Sequence, residues 1–477
     1  MSKIFGFLNS KFRLEENGTD VKTEFRAGLT TFMAMVYILM VNADMFTAAG
    51  VSYEAMYITT AISAIVGTVL IGLLSGLPLA QAPGMGLNAF FVFTVCGTLK
   101  LTYANALVLV LLDGIIFVLL TVTGLRKIIF EAIPSPVKKA IPAGIGLFIA
   151  FIGLQGAGIV VGDPSTLVNL VSFNILNGGA TWQTLMPIVV TLVAFLAMGI
   201  LAKKNVKGAV IYGILGGTVL YYILGLIDYN HFLKGKITMS NPFEAFGKFG
   251  NDTFFKVFTE GFDFSGYLAV KGNTVGSLII IIVTSALAFC LVDMFDTMGT
   301  LYGACARGNL LVEKENGEKE IPNMEKAMLA DAVATTTGAI FGTSTVTTFV
   351  ESSAGVGEGG KTGLTSMFTA IFFLIAMFLT PVAMLVPGAA TNAALIYVGV
   401  LMMTSVKDID WHDIGIAIPA FLTVAIMPLT YNISYGIAFG IISYVVINLF
   451  NKDGYKKINV ATYVIAALFI TMFLISR

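Results

Sequence analysis

The sequence predicts an all-α polytopic membrane protein of about fourteen transmembrane segments in two inverted seven-segment repeats. Three observations predict it. Of 477 residues, 57% are hydrophobic and 12% charged, where a soluble domain carries about 25% charged residues. Apolar runs long enough to cross a bilayer recur almost without pause. The third run of each half is interrupted, at corresponding places, by residues that disfavour a regular helix. Fifty glycines suit close helix packing in lipid. The net charge of zero offers nothing to a nucleic acid or an acidic partner, so the lipid bilayer is the one large-scale partner expected. Cys96, Cys290 and Cys305 lack metal or disulfide spacing and read as packing residues; no cofactor and no metal are expected.

Residues 2–22 are polar and mixed in charge. The first apolar run follows without a short core and cleavage site, so it reads as an uncleaved anchor. Spans are expected at 27–48, 53–77, 79–98, 103–124, 134–156, 183–203 and 208–227. A polar and aromatic stretch, 228–273, separates them from a second series at 275–302, 325–342, 343–357, 362–386, 388–405, 412–430 and 432–450. The last apolar run, 458–475, is short for a span and either crosses or packs at the interface.

Loop charge sets the orientation. Arg126, Lys127, Lys138 and Lys139 follow the fourth span, and Lys203, Lys204 and Lys207 follow the sixth. Arg307, Lys314, Lys319 and Lys326 follow the eighth; Lys452, Lys456 and Lys457 follow the fourteenth. A cytoplasmic N-terminus puts all of them inside, at the plasma membrane. The opposing short loops around Gly50, Asp163, Pro387 and Tyr431 carry no Lys or Arg. The lysines of 228–273 fall outside, which a long loop tolerates. Two repeats of seven spans have opposite topology, a transporter signature. Residues 186–220 and 418–447 share a layout: a Pro-containing apolar helix, a short break and a Gly-rich helix.

The interrupted segments carry the functional argument. The first reads Leu79-Ala80-Gln81-Ala82-Pro83-Gly84-Met85-Gly86-Leu87-Asn88-Ala89-Phe90; Pro83 lacks an amide donor and the glycines loosen the helix. The second, Thr345-Val346-Thr347-Thr348-Phe349-Val350-Glu351, has strand-like composition, and Ser352 or Ser353 could cap a helix after it. Unwound backbone at membrane depth survives only when buried in protein or lining a cavity. Matched breaks in two halves point to a transport site, with Asn88 and Glu351 beside it. Read singly, Gly84 and Gly86 are equally good as packing residues, and Asn88 as an interhelical hydrogen bond.

Carboxylates at bilayer depth strengthen the reading, since each costs at least about 2.5 kcal/mol to insert. Asp293, Asp296, Thr297 and Thr300 fall at i, i+3, i+4 and i+7, one helix face, which must point inward. Phe295, Met298 and Tyr302 take the other side. Asp293, deeper in the span, is the expected ligand; Asp296 is expected to support or bridge a broken helix. No Lys or Arg lies in these core segments, so the coupling ion expected to accompany the solute is a proton.

At these residues the chain resembles the AzgA-like purine permeases, a branch of the nucleobase transporters (the xanthine/uracil permease superfamily). The resemblance rests on Gly28-Leu29-Thr30-Thr31-Phe32, on Ala82-Pro83-Gly84-Met85-Gly86-Leu87-Asn88-Ala89, and on Asp293-Met294-Phe295-Asp296-Thr297-Met298-Gly299-Thr300. It rests most on Gly342-Thr343-Ser344-Thr345-Val346-Thr347-Thr348-Phe349-Val350-Glu351-Ser352-Ser353-Ala354-Gly355, extended by Gly359-Gly360-Lys361-Thr362-Gly363. It covers nearly the whole chain; Ala43 after Asn42 departs from it, where the family has proline. The resemblance implies a core domain (1–130 and 274–386), a gate domain (131–227 and 387–477, with the C-terminal segment) and an extracellular loop (228–273). It implies short antiparallel β-strands in segments three and ten that hold a purine between the domains. It further implies proton-coupled uptake by an elevator-like movement, and homodimers, which related transporters form. Asn88, Asp293 and Glu351 match purine-binding positions, and Gly86 and Asp296 match neighbouring important ones. Gly86 and Thr348 are expected in the substrate site with the first three, and Asp296, Thr297 and Glu351 are expected to couple protons or support the site.

The chemistry suits a purine: a carboxylate accepts from adjacent N–H groups and an amide both donates and accepts. Phe90, Phe91 or Phe349 could pack on the ring. The alternatives are an anion transporter of the same architecture for sulfate or bicarbonate, a pyrimidine transporter, a channel and a membrane enzyme. An anion site would want a cation where this chain has Glu351. His231 and His412, the only histidines, lie outside the core segments, and no zinc motif or nucleophile–base set appears, so no enzyme is expected.

Overall fold

The structure, a computed structural model, describes residues 9–124, 133–234, 241–271, 273–313, 319–451 and 458–475. Residues 2–8 and Arg126, Lys127, Lys314, Lys452, Lys456 and Lys457, used above for orientation, lie outside the described residues.

The first half runs α1 (Val21–Met35), α2 (Tyr37–Thr47), α3 (Tyr53–Leu74), β1 (Gln81–Pro83), α4 (Met85–Ala89, continued as a wider helix over Phe90–Thr98) and α5 (Tyr103–Thr123). It continues through α6 (Ser135–Gly156), an exposed hairpin of β2 (Val160–Asp163) and β3 (Leu167–Leu170), α7 (Trp182–Lys203) and α8 (Ala209–Gly225). The second half has α9 (Val275–Arg307), a short pair β4 (Val312–Glu313) and β5 (Lys319–Glu320), α10 (Met324–Phe341), β6 (Val346–Thr348) and α11 (Ser352–Val356). It ends with α12 (Gly363–Met377), α13 (Gly388–Met402), α14 (Ile414–Thr430), α15 (Ile433–Leu449) and α16 (Val460–Ile475).

Many helices start where a side-chain oxygen can take up a free amide. Asp20 accepts from the Thr23 amide at α1, Asp413 from Gly415 at α14 and Asn432 from Tyr435 at α15. Reciprocal capping boxes open α5 (Thr102 with Asn105), α7 (Thr181 with Thr184) and α9 (Thr274 with Ser277). Among the described residues, eight helical stretches are long and apolar enough to cross a membrane by length and composition; five shorter apolar helices accompany them. α16, 16 residues long, packs on α9 and α15 and buries Phe469.

Two packing groups can be traced. In one, α3 packs on α2, α10 and α12; α12 on α1; α11 on α1; and α5 on α9 and α10. In the other, α6 packs on α13 and α14, α14 on α15, and α7 and α8 on each other and on α13. Helix axes approach closely where one partner lacks a side chain: a Cβ on Gly114 of α5 would sit 2.5 Å from Thr336 Oγ1 of α10.

Of residues 228–273, read from the sequence as an extracellular loop, the described residues of 241–271 contact the ends of α3 and α5. Lys248 pairs with Glu54 at 2.7 Å, and that carboxylate holds the ammonium above its ordinary range. Thr253 meets Thr59 at 2.8 Å, and Asn105 Nδ2 donates to the carbonyls of Gly261 (2.7 Å) and Asp263 (2.9 Å). The segment also closes a helix end, where Phe255 N donates to Ile340 O of α10 at 2.9 Å.

Candidate functional site

β1 and β6 are the meeting point of the two halves. They pair antiparallel with Gln81 opposite Thr348, Ala82 opposite Thr347 and Pro83 opposite Val346. The ladder is extended at both ends: Gly84 N donates to Thr345 O (3.0 Å) and Phe349 N to Ala80 O (3.0 Å). Thr68 of α3 both donates to Gln81 O (3.1 Å) and accepts from Gln81 N (3.0 Å). This extended backbone, buried throughout, is therefore satisfied without helix or water. Ser352 does not cap α11, whose N-cap residue is Glu351. Its Oγ instead accepts from Ala80 N, just before β1, at 3.0 Å. Ser353 makes no side-chain cap either.

A narrow cleft of about 70 Å3 lies where these strands give way to helices. Gly84, Met85 and Gly86 line it from the first break, Thr348 to Glu351 from the second, Asp296 and Thr300 from α9, and Tyr37 from α2. Val398 and Met402 of α13 complete the lining. Two carboxylates thus share the cleft with apolar side chains, among them Phe349, Val398 and Met402. Among the cleft-lining residues there is no Lys, Arg or His. The Tyr37 hydroxyl donates to Glu351 Oε1 at 2.7 Å. Gly86 stands against Ile145 of α6, and a Cβ on Gly84 would lie 2.6 Å from Thr347 Cγ2. Any side chain at either position would push the strand or helix off its neighbour, so both glycines serve packing and cleft together.

The expected site residues divide between two layers. Gly86, Thr348, Asp296 and Glu351 reach the cleft. Asn88, Asp293 and Thr297 are fully buried and do not line it. Asn88 Nδ2 donates to Pro83 O at 3.3 Å, and its Oδ1 accepts from Ser344, which ties the two breaks to each other. Thr297 meets Thr347 (2.7 Å) and donates to Asp331 Oδ2 (2.9 Å). Asp293 Oδ2 accepts from Thr335 at 3.3 Å. The placement of the two α9 carboxylates reverses the expected order: Asp296 faces the cleft, and Asp293 faces away from it, towards Thr335 of α10. Phe349 lines the cleft, whereas Phe90 packs on Phe289 and Phe91 on Phe46.

Behind the strands lies a buried network the sequence reading missed. Asp331 of α10 accepts from Gln81 Nε2 (2.8 Å) as well as from Thr297, and Asp113 of α5 accepts from Thr345 at 3.2 Å. Asp113, Asp293 and Asp331 are each 0% exposed. A signal for Asp113 was present, since it is the one acidic residue in the apolar run 103–124. Among the described residues no group of three or more His, Cys, Asp or Glu is placed to hold a metal ion.

Two wider cavities flank the cleft. One, of about 370 Å3, shares Glu351 with it and is lined by Lys207, Arg307 and Tyr397. The other, of about 350 Å3, shares no residue with the cleft and is lined by Asp44, Phe93, Asn392 and Tyr431. Tyr431 fills its floor, with Phe93, Phe148 and Phe151 against its ring and its hydroxyl donating to Gln155.

Comparison with known proteins agrees with this architecture. Residues 22–439 match the Permease family designated Xan_ur_permease. The guanine/hypoxanthine permease PbuO of Bacillus subtilis is 40% identical, over 96% of this chain and 98% of that protein. The adenine permease AdeP of Escherichia coli is 35% identical, over 98% of this chain and 95% of that protein. Among solved structures, the transmembrane domain of the cyanobacterial bicarbonate transporter BicA superposes with a TM-score of 0.57 at 14% identity, covering 87% of this chain and 97% of that one. That likeness speaks to fold alone. The chain therefore belongs to the xanthine/uracil permease family and is an integral membrane transporter, not an enzyme.

Proposed function

We propose that this protein takes up purine nucleobases, hypoxanthine, guanine or adenine, across the plasma membrane together with protons. The observation that carries the reading is the mixed lining of the cleft. Asp296 and Glu351 offer acceptors, while Phe349, Val398 and Met402 offer apolar surface. A purine is flat, with N–H donors on its edge and apolar faces, so its edge meets the carboxylates and its face meets α13 and Phe349. Two carboxylates with no cation among the lining residues repel sulfate and bicarbonate, which argues against an anion carrier despite the shared fold. Names of the relatives support the purine.

In this reading Glu351 and Asp296 are the base-binding pair, Tyr37 positions Glu351, and Asn88, Asp293, Thr297 and Thr348 hold the strand pair and its backing in place. The cleft is narrower than the roughly 300–1,000 Å3 of most ligand pockets, so binding requires the walls to part. The two packing groups supply the bodies: a core of 1–130 and 274–386 and a gate of 131–227 and 387–477, moving as an elevator. Their helices fit fourteen segments in two inverted repeats, with the N-terminus cytoplasmic and 228–273 outside. With the N-terminus cytoplasmic, Lys207 and Arg307 put the cavity that shares Glu351 on the inner side.

The test is uptake of labelled hypoxanthine into proteoliposomes with and without an inward proton gradient, competed by guanine, adenine, uracil, sulfate and bicarbonate. Gradient-driven uptake blocked by purines is expected. Competition by sulfate or bicarbonate but not by purines would sink the reading, and competition by uracil alone would shift it to pyrimidines.

A further inference from the structure

On the face that carries the N-terminal segment, a cavity of about 460 Å3 lies between residues 11–17, the turn after α3, the start of α10 and the start of α12. Three cations line it, Lys11, Arg13 and Lys361, and no carboxylate does. It shares no lining residue with the cleft or with either flanking cavity, so whatever it holds is not the transported solute in transit.

The cations are held there by the fold. The Lys361 amide donates to Glu24 Oε1 at 3.0 Å, and Glu24, fully buried, also accepts from the Thr365 amide and hydroxyl. That anchor fixes the start of α12 against α1 and brings the 361 side chain to the cavity. Its Nζ reaches the Gly18 carbonyl at 3.4 Å, a long contact with a neutral acceptor. Arg13 approaches Glu16 at 3.9 Å, with both side chains more than two-thirds exposed, a pairing that solvent weakens. Gly363, the first residue of the 15-residue α12, lines the same cavity, but the amides of that helix start are taken by Thr362 Oγ1 and the Glu24 carboxylate, so the charged groups that face the cavity are the three cations. Asn323 supplies an amide and Phe12 a ring.

We propose that this cavity is a binding site for a phosphate ester. An anionic phosphate suits convergent Lys and Arg side chains. The volume exceeds what a bare oxyanion needs and falls in the range of small-molecule pockets. The ester therefore carries an organic body, packed on Phe12 and Asn323. Two sources share this chemistry, a free nucleotide-sized phosphate and the headgroup of an anionic lipid. Both meet the same cations, and binding ties the N-terminal segment to the two halves of the protein at once.

The experiment uses the purified full chain in phosphatidylcholine nanodiscs, titrated with guanosine monophosphate and with inorganic pyrophosphate, beside nanodiscs containing phosphatidylglycerol. A free ester is indicated by saturable nucleotide binding that pyrophosphate competes. Lys361→Gln or Arg13→Gln should weaken it roughly tenfold each, and Lys204→Gln, a cation elsewhere, should not. A lipid headgroup is indicated if phosphatidylglycerol raises the thermal midpoint of the wild type and not of the Lys361→Gln/Arg13→Gln double variant. Lys361→Arg, which keeps the charge, should retain whichever effect the wild type has and so separates lost charge from lost folding. The proposal is overturned if neither soluble compound binds and phosphatidylglycerol acts equally on wild type and double variant, or if binding occurs but is indifferent to both substitutions. Because the readout is binding, it stands or falls apart from the purine reading.

Discussion

Five acidic residues lie around the paired strands β1 and β6, and that single layer sorts them. Asp296 and Glu351 stand on the cleft side of β1 and β6 and are partly exposed. Asp113, Asp293 and Asp331 stand behind, each 0% exposed. The rear group is met by hydroxyls and an amide from α3-linked β1, α9, α10 and the β6 segment: Gln81, Thr297, Thr335 and Thr345. In the front group, the Tyr37 hydroxyl donates to Glu351 across the cleft lining. Residue type and depth are therefore poor guides to role. What differs is whether the acceptors are spent on the fold or left facing open space. On this comparison, rear substitutions should register first as stability and front ones first as transport.

The largest expected effect comes from Asp331→Ala. It removes the carboxylate acceptor of Gln81 Nε2 and of Thr297 Oγ1, which keep only Thr348 Oγ1 (3.2 Å) and Thr347 Oγ1 (2.7 Å) as partners. Each lost hydrogen bond costs about 0.5–1.5 kcal/mol and the cavity left by the side chain adds to it, so the sum is about 2 kcal/mol or more. Thermal unfolding in detergent should show a large fall in midpoint, with uptake lost in proportion to folded protein; Asp331→Asn should recover part of both. A variant that stays as stable as wild type but does not transport would move Asp331 to the front group.

Next comes Glu351→Gln. The amide keeps the shape and can still accept from Tyr37, so the thermal midpoint should stay near wild type. Loss of a charged acceptor for base N–H groups, worth about 1.5–3 kcal/mol, should weaken purine uptake by roughly 100-fold at low substrate. Uptake per surface-expressed molecule measures it. Wild-type uptake in this variant would remove Glu351 from the site.

The same comparison shows what could be read from the chain alone. The membrane class, the positions of the long helices and the two interrupted segments were legible, because hydropathy and Pro/Gly punctuation are local signals. The polar stripe of α9 was legible as well. Its division was not: Asp293 and Asp296 differ by three residues, about 60° around the helix, enough to put one on each side of a strand. Depth along the span, used to favour Asp293, carries no information about that rotation. Asn88 looked like a ligand because its neighbours form the break; only the fold reveals Ser344 across from it. Asp331 was masked by the polar start of α10, whose Glu325 and Lys326 resemble a helix end at the interface.

A smaller effect is expected from Tyr37→Phe. The hydroxyl donates to Glu351 Oε1 at 2.7 Å from a fully buried ring. Without it the carboxylate is less confined but can still meet the base, so the apparent KM should rise about fivefold with little change in maximal rate. A positioning role predicts the same factor for hypoxanthine, guanine and adenine. It also predicts no further loss when Tyr37→Phe is combined with Glu351→Gln, since the pair then acts as a unit. Factors that differ among the purines would instead place the hydroxyl against the base.

The smallest effect is the most diagnostic. Asp293→Asn keeps an acceptor for Thr335 and changes nothing that lines the cleft. Its effect on purine binding should therefore be slight, within about twofold in the inhibition constant of unlabelled guanine. Any change should fall on the dependence of uptake on the proton gradient, because Asp293 Oδ1 is a buried oxygen with no hydrogen-bond partner among the described residues and a proton on it needs no rearrangement of the base site. A tenfold loss of guanine affinity would mean that the strand layer opens during transport and Asp293 reaches the base. The division between front and rear carboxylates would then describe one conformation of the cycle rather than two roles.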